Sequence, residues 1–239
     1  MNTVKIQKQN VKMIAHRGLS GIEQENTNVA FIAAGNRSYF GIETDVRKTA
    51  DGQFVILHDD HTERVGTDVL YPEKTTFETL RALRLKDKNG VRGRADLHLC
   101  SLEEYIETCK RYEKHSVLEL KGLYDLQTLS DMINRIREIG WLENVIFISF
   151  ALDNLIKVRQ LLPDQKIQWL TCEFNENILA SMKEYSLDLD IYFGGLHEED
   201  VKVIHDAGFE VNCWTVDRKE DAERLVSWGV DYITSNILE

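Results

Sequence analysis

Four apolar runs of this 239-residue chain end in ionisable side chains. Met13-Ile14-Ala15 runs into His16-Arg17-Gly18, and a second run carries Glu43-Thr44-Asp45. Val55-Ile56-Leu57 runs into His58-Asp59, and Val117-Leu118 into Glu119-Leu120-Lys121. Residues two apart on an extended strand point to the same side, so Glu43 and Asp45 form one pair and Glu119 and Lys121 another. Any single charge at a strand end is an ordinary contact with solvent. Seven groups brought to one rim (His16, Arg17, Glu43, Asp45, His58, Glu119, Lys121) are a site. Three carboxylates about 5 Å apart repel by roughly 3 kcal/mol per pair at an effective dielectric of 20, so some stay protonated or a cation lies among them. An all-oxygen set favours a hard divalent ion, Mg²⁺ or Ca²⁺, over zinc. With the ion included the carboxylates keep a residual negative charge, and Arg17 and Lys121 turn the sum to +1, which suits a phosphodiester of charge −1. A metal, two cations and two histidines are the toolkit for cleaving a phosphodiester. The cations stabilise charge on the phosphoryl oxygens, one His takes a proton from the nucleophile, and the other protonates the leaving alkoxide.

These groups meet only if the runs are strands of one sheet. Short β-rich runs alternate with segments of helical period: strands at 13–16, 41–45, 117–121, 145–149, 167–171, 189–193, 211–215 and 231–234. Between them lie stretches such as Leu126 to Ile139, where Leu126, Leu129, Ile133, Ile136 and Ile139 recur at helical spacing. Eight such units predict a (β/α)8 TIM barrel, whose reactive groups sit at the carboxyl ends of its strands. A ninth run, 53–58, follows the Asp51-Gly52 turn after too few residues for a parallel crossover. It is expected to be a hairpin arm, with cross-strand partners summing to 103 and Asp45 facing His58. The rhythm then breaks for about forty residues until a helix starts near Ser101. The chain thus reads as one domain, 1–239, with a small inserted subdomain at about 59–100. Within it Arg81, Arg84, Lys86, Lys88, Arg92 and Arg94 against Asp87 give a local +5, expected as a solvated helix face or else a positive rim for an anionic substrate.

The formal charge is −11. Such an acidic chain is a poor partner for nucleic acid or an anionic membrane surface. The amino-terminal stretch lacks a signal-peptide core and no apolar run spans a bilayer, so a cytoplasmic protein without a membrane span is expected. The four cysteines lack paired spacing and are expected as buried free thiols. His61 is expected in solvent, and Lys202 and His205 on a surface helix. The oligomeric state is not written in the sequence, and a homodimer stays open.

The stretches MIAHRGLSGIEQENTNVAF, GIETDVRKTADGQFVILHDD, VLELKG, VNCWTVD and GVDYITSN, in this order from about residue 13 to 236, resemble the glycerophosphodiester phosphodiesterase family. HRG with ExD and HD at these spacings is highly specific. The resemblance implies a TIM barrel with an insertion after the HD motif. It also implies hydrolysis of glycerophosphodiesters to glycerol 3-phosphate and an alcohol with a divalent cation. On the matching positions His16 and His58 become the general acid/base pair, Glu43, Asp45 and Glu119 the metal ligands, and Arg17 and Lys121 the phosphate contacts. Trp214 matches an aromatic residue near the bound glycerol, although a barrel-core Trp is an equal reading. Two departures stand out. The family's PENT is Gln24-Glu25-Asn26-Thr27 here, with the helix cap, Asn26 or Thr27, kept. Its late TD is Thr234-Ser235, which removes a carboxylate. The alternatives are a lysophospholipase D-type phosphodiesterase on the same fold, which needs an apolar tunnel or lid, and a non-catalytic anion-binding barrel, which needs no acid/base pair.

Overall fold

A computed structural model describes residues 2–239. In chain order the elements are β1 (Lys12–Ala15), α1 (Asn28–Gly35), β2 (Gly41–Lys48), β3 (Phe54–Ile56), α2 (Phe77–Arg81), α3 (Leu102–Arg111), β4 (His115–Leu120), α4 (Leu126–Ile139), β5 (Val145–Ser149), α5 (Leu152–Leu161), β6 (Ile167–Thr171), α6 (Glu176–Tyr185), β7 (Asp188–Tyr192), α7 (Glu198–Asp206), β8 (Val211–Trp214), α8 (Lys219–Trp228) and β9 (Tyr232–Ser235). Eight of the strands run parallel in the order β1-β9-β8-β7-β6-β5-β4-β2, and β1 pairs with β2 to close the ring. This is the (β/α)8 TIM barrel expected from the alternation.

The strands are buried on both faces, as a parallel sheet under a layer of helices requires. The VIFIS run of β5 is buried at all five positions. The main core fills the space between sheet and helices, while Ile14, Val117, Ile146, Ile148, Leu170 and Tyr232 form a separate apolar cluster. Helix ends follow local chemistry. Ser101 and Glu104 make a reciprocal capping box at the start of α3, and Asp125 caps α4, which stops at left-handed Gly140.

β3 pairs antiparallel with the far end of β2, as a hairpin arm should. The register differs by one from the expected value: Val46 faces Ile56 and Lys48 faces Phe54, so partners sum to 102. The loop holds three residues, Ala50-Asp51-Gly52, of which only Gly52 has positive φ (75°). A two-residue type I′ turn needs positive φ at both centres. With Asp51 outside that region, the chain takes the three-residue form that ends on a left-handed glycine. Asp45 therefore lies opposite Leu57, whose N–H donates to its carbonyl, and His58 falls one place beyond.

From Leu57 to Ser101 the chain is mostly irregular, yet Val55, Leu57, Val65, Leu80, Leu83, Leu85, Leu97 and Leu99 pack into an apolar cluster of their own. Its exit returns to its entrance, since Ile56 N–H donates to the Cys100 carbonyl. The basic stretch is not a helix face: α2 ends at Arg81, and the rest is bridges and turns. No helical pattern is available to a stretch broken by Gly90 and Gly93, both at positive φ. Most of its cations are committed: Arg81 to Glu104, Arg94 to Glu23 and Asp96, Lys86 to the Glu63 carbonyl, and Lys88 to the carbonyls of Ser20 and Gly21. The run thereby ties the insertion to the loop after β1. All four thiols are free, but Cys172 is exposed, against the expectation that all would be buried. His61 is only half exposed, held by Asp60 and Glu63. Lys202 and His205 are exposed on α7. Among the described residues no helix is long and apolar enough to cross a membrane.

Candidate active site

The HRG turn sets one wall of the site. Arg17 and Gly18 both take left-handed backbone conformations (φ 53° and 75°), which reverses the chain immediately after β1. A side chain at Gly18 would meet Ala30 of α1 at 2.7–2.9 Å, so only glycine fits. The reversal points the Arg17 N–H at Glu43 Oε2 (2.8 Å) and its guanidinium at Glu25 (2.9 Å) and Asp45 (3.5 Å).

Glu43 and Asp45 project into the barrel from β2. Asp45 is the register partner of Glu119 on β4, which brings the third carboxylate beside them. Ligand oxygens of the three lie within 4.8 Å of one another, and all three residues are buried. Lys121, two residues beyond Glu119, lies 2.7 Å from that carboxylate and 3.2 Å from Asp45 Oδ1. Asn26 supplies a further contact: its amide donates to Asp45 Oδ2 and its oxygen accepts from Thr44, both at 2.8 Å. Thr27, not Asn26, therefore caps α1. His16 Nε2 stands 3.9 Å from Glu43, and the carbonyl of His58 is gripped by Arg47 of β2.

His16, Arg17, Glu43, His58, Glu119, Lys121 and Trp214 line one cavity of about 90 Å³ at the carboxyl ends of the strands. Asp45, fully buried, lies behind this lining. The seven ionisable groups expected to converge are thus together, and Trp214 joins them by closing the cavity's apolar side with Ile148, Phe150 and Leu170.

The electrostatics reflect crowding in a dry place. Burial, with Asp45 and Glu119 nearby, pushes the Glu43 carboxyl well above its usual range. Burial and Asp45 likewise raise Glu119. Burial would raise Asp45 too, but Lys121, Arg17 and His58 outweigh it and hold it far below. Burial and the Arg17 charge lower His16 to about 4, and burial lowers His58 against the pull of Asp45. Two charged atoms remain without hydrogen-bond partners, Asp45 Oδ1 and Arg17 Nε. An oxygen-only donor set whose Asp45 Oδ1 has an ion pair with Lys121 but no hydrogen bond suits a hard divalent cation, and a guanidinium Nε–H without a hydrogen bond suits an anion beside it.

Several supporting residues had no distinct signal in the sequence. Asp59 accepts from His58 Nδ1 at 2.7 Å. Arg64, from the insertion, reaches Asp59 at 2.7 Å and forks onto Glu25 at 2.6 and 2.9 Å. Glu25 in turn holds Arg17. On the opposite side Asn236 holds His16, and Asp217 holds Asn236. Glu25, Asp59, Asp217 and Asn236 sat inside recognised motifs without a role of their own, whereas Arg64 is revealed only by the folded chain.

Comparison with known proteins agrees with this geometry. Residues 16–238 match the model of the glycerophosphoryl diester phosphodiesterase family. A glycerophosphodiester phosphodiesterase of Caldanaerobacter subterraneus subsp. tengcongensis is 30% identical over 227 residues, covering 94% of this chain and 93% of its own length. Among solved structures, a glycerophosphodiester phosphodiesterase from Parabacteroides distasonis superposes with a TM-score of 0.79 at 26% identity, covering 96% of this chain and 94% of the other. An Oleispira antarctica phosphodiesterase, solved in complex with the product sn-glycerol-3-phosphate, gives a TM-score of 0.82 at 24% identity, covering 98% and 96%. With the family model matching nearly its whole length, and with the barrel and buried acidic triad in place, the chain belongs to the glycerophosphoryl diester phosphodiesterase family.

Proposed function

We propose that this protein hydrolyses glycerophosphodiesters to sn-glycerol 3-phosphate and an alcohol with the help of one divalent cation, Mg²⁺ or Ca²⁺. We read it as a single barrel domain, 1–239, with an inserted subdomain at about 59–100. The observation that carries the activity is the convergence of Glu43, Asp45 and Glu119 with two histidines and two cationic side chains in one cavity. Glu43, Asp45 and Glu119 would hold the ion, which supplies Lewis-acid stabilisation of charge on the phosphoryl oxygens. Arg17 and Lys121 bind the non-bridging oxygens and offset the remaining carboxylate charge. Trp214 and its apolar neighbours face the carbon skeleton of the glycerol.

We infer the roles of the two histidines from how they differ. Asn236 offers its oxygen to His16 Nδ1 because its amide is spent on Asp217. His16 thus keeps its proton on Nδ1 and a lone pair on Nε2, and its lowered pKa keeps it neutral at pH 7. It is the base that takes the proton of the attacking hydroxyl. Asp59 holds His58 at Nδ1 and pulls its pKa upward against the burial that lowers it, and His58 is the acid that gives its Nε2 proton to the leaving alkoxide. One observation favours a second reading, lysophospholipase D-type cleavage: Phe150 and Tyr192 are 48% and 43% exposed and pack against Trp214. Such an apolar ledge suits an acyl chain.

Release of glycerol 3-phosphate from glycerophosphocholine and glycerophosphoethanolamine, with lysophosphatidylcholine in parallel and with and without EDTA, tests both readings. Turnover of the first two that EDTA abolishes supports the proposal. Faster turnover of the lysophospholipid supports the second reading, and no turnover of any substrate leaves only an anion-binding barrel.

A further inference from the structure

β7 stands four places from β2 in the eight-strand ring, so it faces the acidic cluster across the barrel. Its Asp190 lines the same cavity, on the side otherwise made by Ile148, Leu170 and Trp214. Asp190 is 2% exposed, and its Oδ1 has no hydrogen-bond partner. Gln168 on neighbouring β6 likewise has an unpartnered, buried amide nitrogen. Asn212 is the side-chain hydrogen-bonding neighbour of Asp190, yet a buried carboxyl oxygen left without a partner is costly and is kept where something else completes its bonding. The strand is well placed to serve the site, because its Asp190 carbonyl accepts from the Trp214 indole at 3.2 Å. A phosphate held by Arg17 and Lys121 leaves the three-carbon end of the substrate to extend toward β7. On that side Trp214 and Leu170 offer apolar surface, and Asp190 is the acidic side chain that lines the cavity apart from the Glu43–Asp45–Glu119 cluster.

We propose that Asp190 is a specificity-determining residue, hydrogen-bonding a hydroxyl of the glycerol unit and selecting polyol phosphodiesters over alkyl ones. This inference rests on the glycerophosphodiester reading above. A site built to bind a hydroxyl discriminates against the analogue that lacks it, because the buried polar group is then left unpaired. Asparagine keeps a side-chain oxygen and adds donors at the same place whereas leucine keeps neither, so asparagine should replace Asp190 better than leucine.

The experiment is calorimetric titration, in the presence of Ca²⁺, with sn-glycerol 3-phosphate and with n-propyl phosphate, which has the same carbons and no hydroxyl. Wild type is expected to prefer glycerol 3-phosphate by about tenfold or more. Asp190→Leu should reduce that preference to within about threefold by weakening glycerol 3-phosphate alone, while Asp190→Asn keeps most of it. Equal weakening of both ligands by Asp190→Leu would show a structural role and overturn the inference. So would an undiminished preference, or a wild type that does not discriminate, a comparison that needs no variant to fold. Binding of neither ligand to wild type would overturn the glycerophosphodiester reading itself.

Discussion

His16 Nδ1 lies 2.8 Å from Asn236 Oδ1, across 220 positions of sequence, and thereby ties the end of β1 to the end of β9. Asn236 is itself fixed by Asp217, which accepts from its amide at 2.6 Å, from its backbone N–H at 2.8 Å and from Ser235 Oγ at 3.0 Å. Where the family's TD pair reads Thr234-Ser235, a carboxylate thus reaches the spot from the loop after β8. Its consequence is the tautomer of His16. On the proposed reading of His16 as the base, Asp217→Ala should lower kcat about tenfold with KM within about twofold, because a misoriented base fails in the transition state rather than in binding. Introduced into His16→Ala, the same change should cost nothing further. Steady-state kinetics of the four proteins decide it, and independent, multiplicative losses would show that Asp217 acts elsewhere.

Arg64 joins two halves of the machinery. One face holds Asp59, the partner of His58, and the other holds Glu25, the partner of Arg17. Arg64→Ala should therefore raise KM and lower kcat together, by about tenfold each. Arg64→Lys should rescue little, since an ammonium cannot fork onto one carboxylate while reaching a second. Kinetics on both variants test this, with the thermal midpoint as a control for folding. Full activity in Arg64→Lys would reduce Arg64 to a simple counter-charge.

The barrel was legible because its strands and helices are written in short-range patterns: β5 and α4 fall where the apolar periodicity puts them. The seven central groups were legible for a related reason, since a polar residue that closes an apolar strand marks the barrel mouth. Hairpin register was not, because Asp-Gly serves both two- and three-residue loops and only the backbone of Asp51 chooses between them. The basic stretch misled because its cations bind partners distant in sequence, such as Arg94 with Glu23. Asp190 looks like any polar residue of a strand until the ring closes and brings β7 opposite β2, and Asn236, although inside a quoted motif, shows its bond to His16 only when β9 lies beside β1.

Lys121 neutralises Asp45 and Glu119 at the place where an ion would bind. The ion and this ammonium therefore compete for the same carboxylates. Lys121→Met should bind Ca²⁺ or Mg²⁺ several-fold more tightly than wild type while turning over more slowly, having lost a phosphate contact. In wild type the ion should raise the thermal midpoint, as a ligand of the folded state does, and Glu43→Gln should abolish the rise. Calorimetric and thermal titrations provide the readout. Unchanged affinity in Lys121→Met would separate the ammonium from the ion site.

Glu239 ties the amino-terminal segment to the turn between α1 and β2. Its buried carboxylate accepts from Thr3 Oγ1, Ser38 N–H and Ser38 Oγ, each at 2.6 Å, and meets Lys5 at 2.8 Å. Burial alone would raise it, but Lys5, Ser38 and Thr3 lower it to about 2. A carboxylate depressed in the folded state adds stability that is complete above its unfolded value near 4.5 and disappears as pH falls through about 2. Glu239→Gln should therefore cost about 2 kcal/mol at pH 7, with three hydrogen bonds to a charged acceptor weakened. For a chain of this size that corresponds to about 6 °C in midpoint. The gap between variant and wild type should hold from pH 7 to about 5 and shrink steadily below 4.5. Activity should not change, because the residue lies beside Val4 and Ser38 and far from the cavity. A gap that stays constant down to pH 2 would mean that the clamp holds by packing rather than by charge.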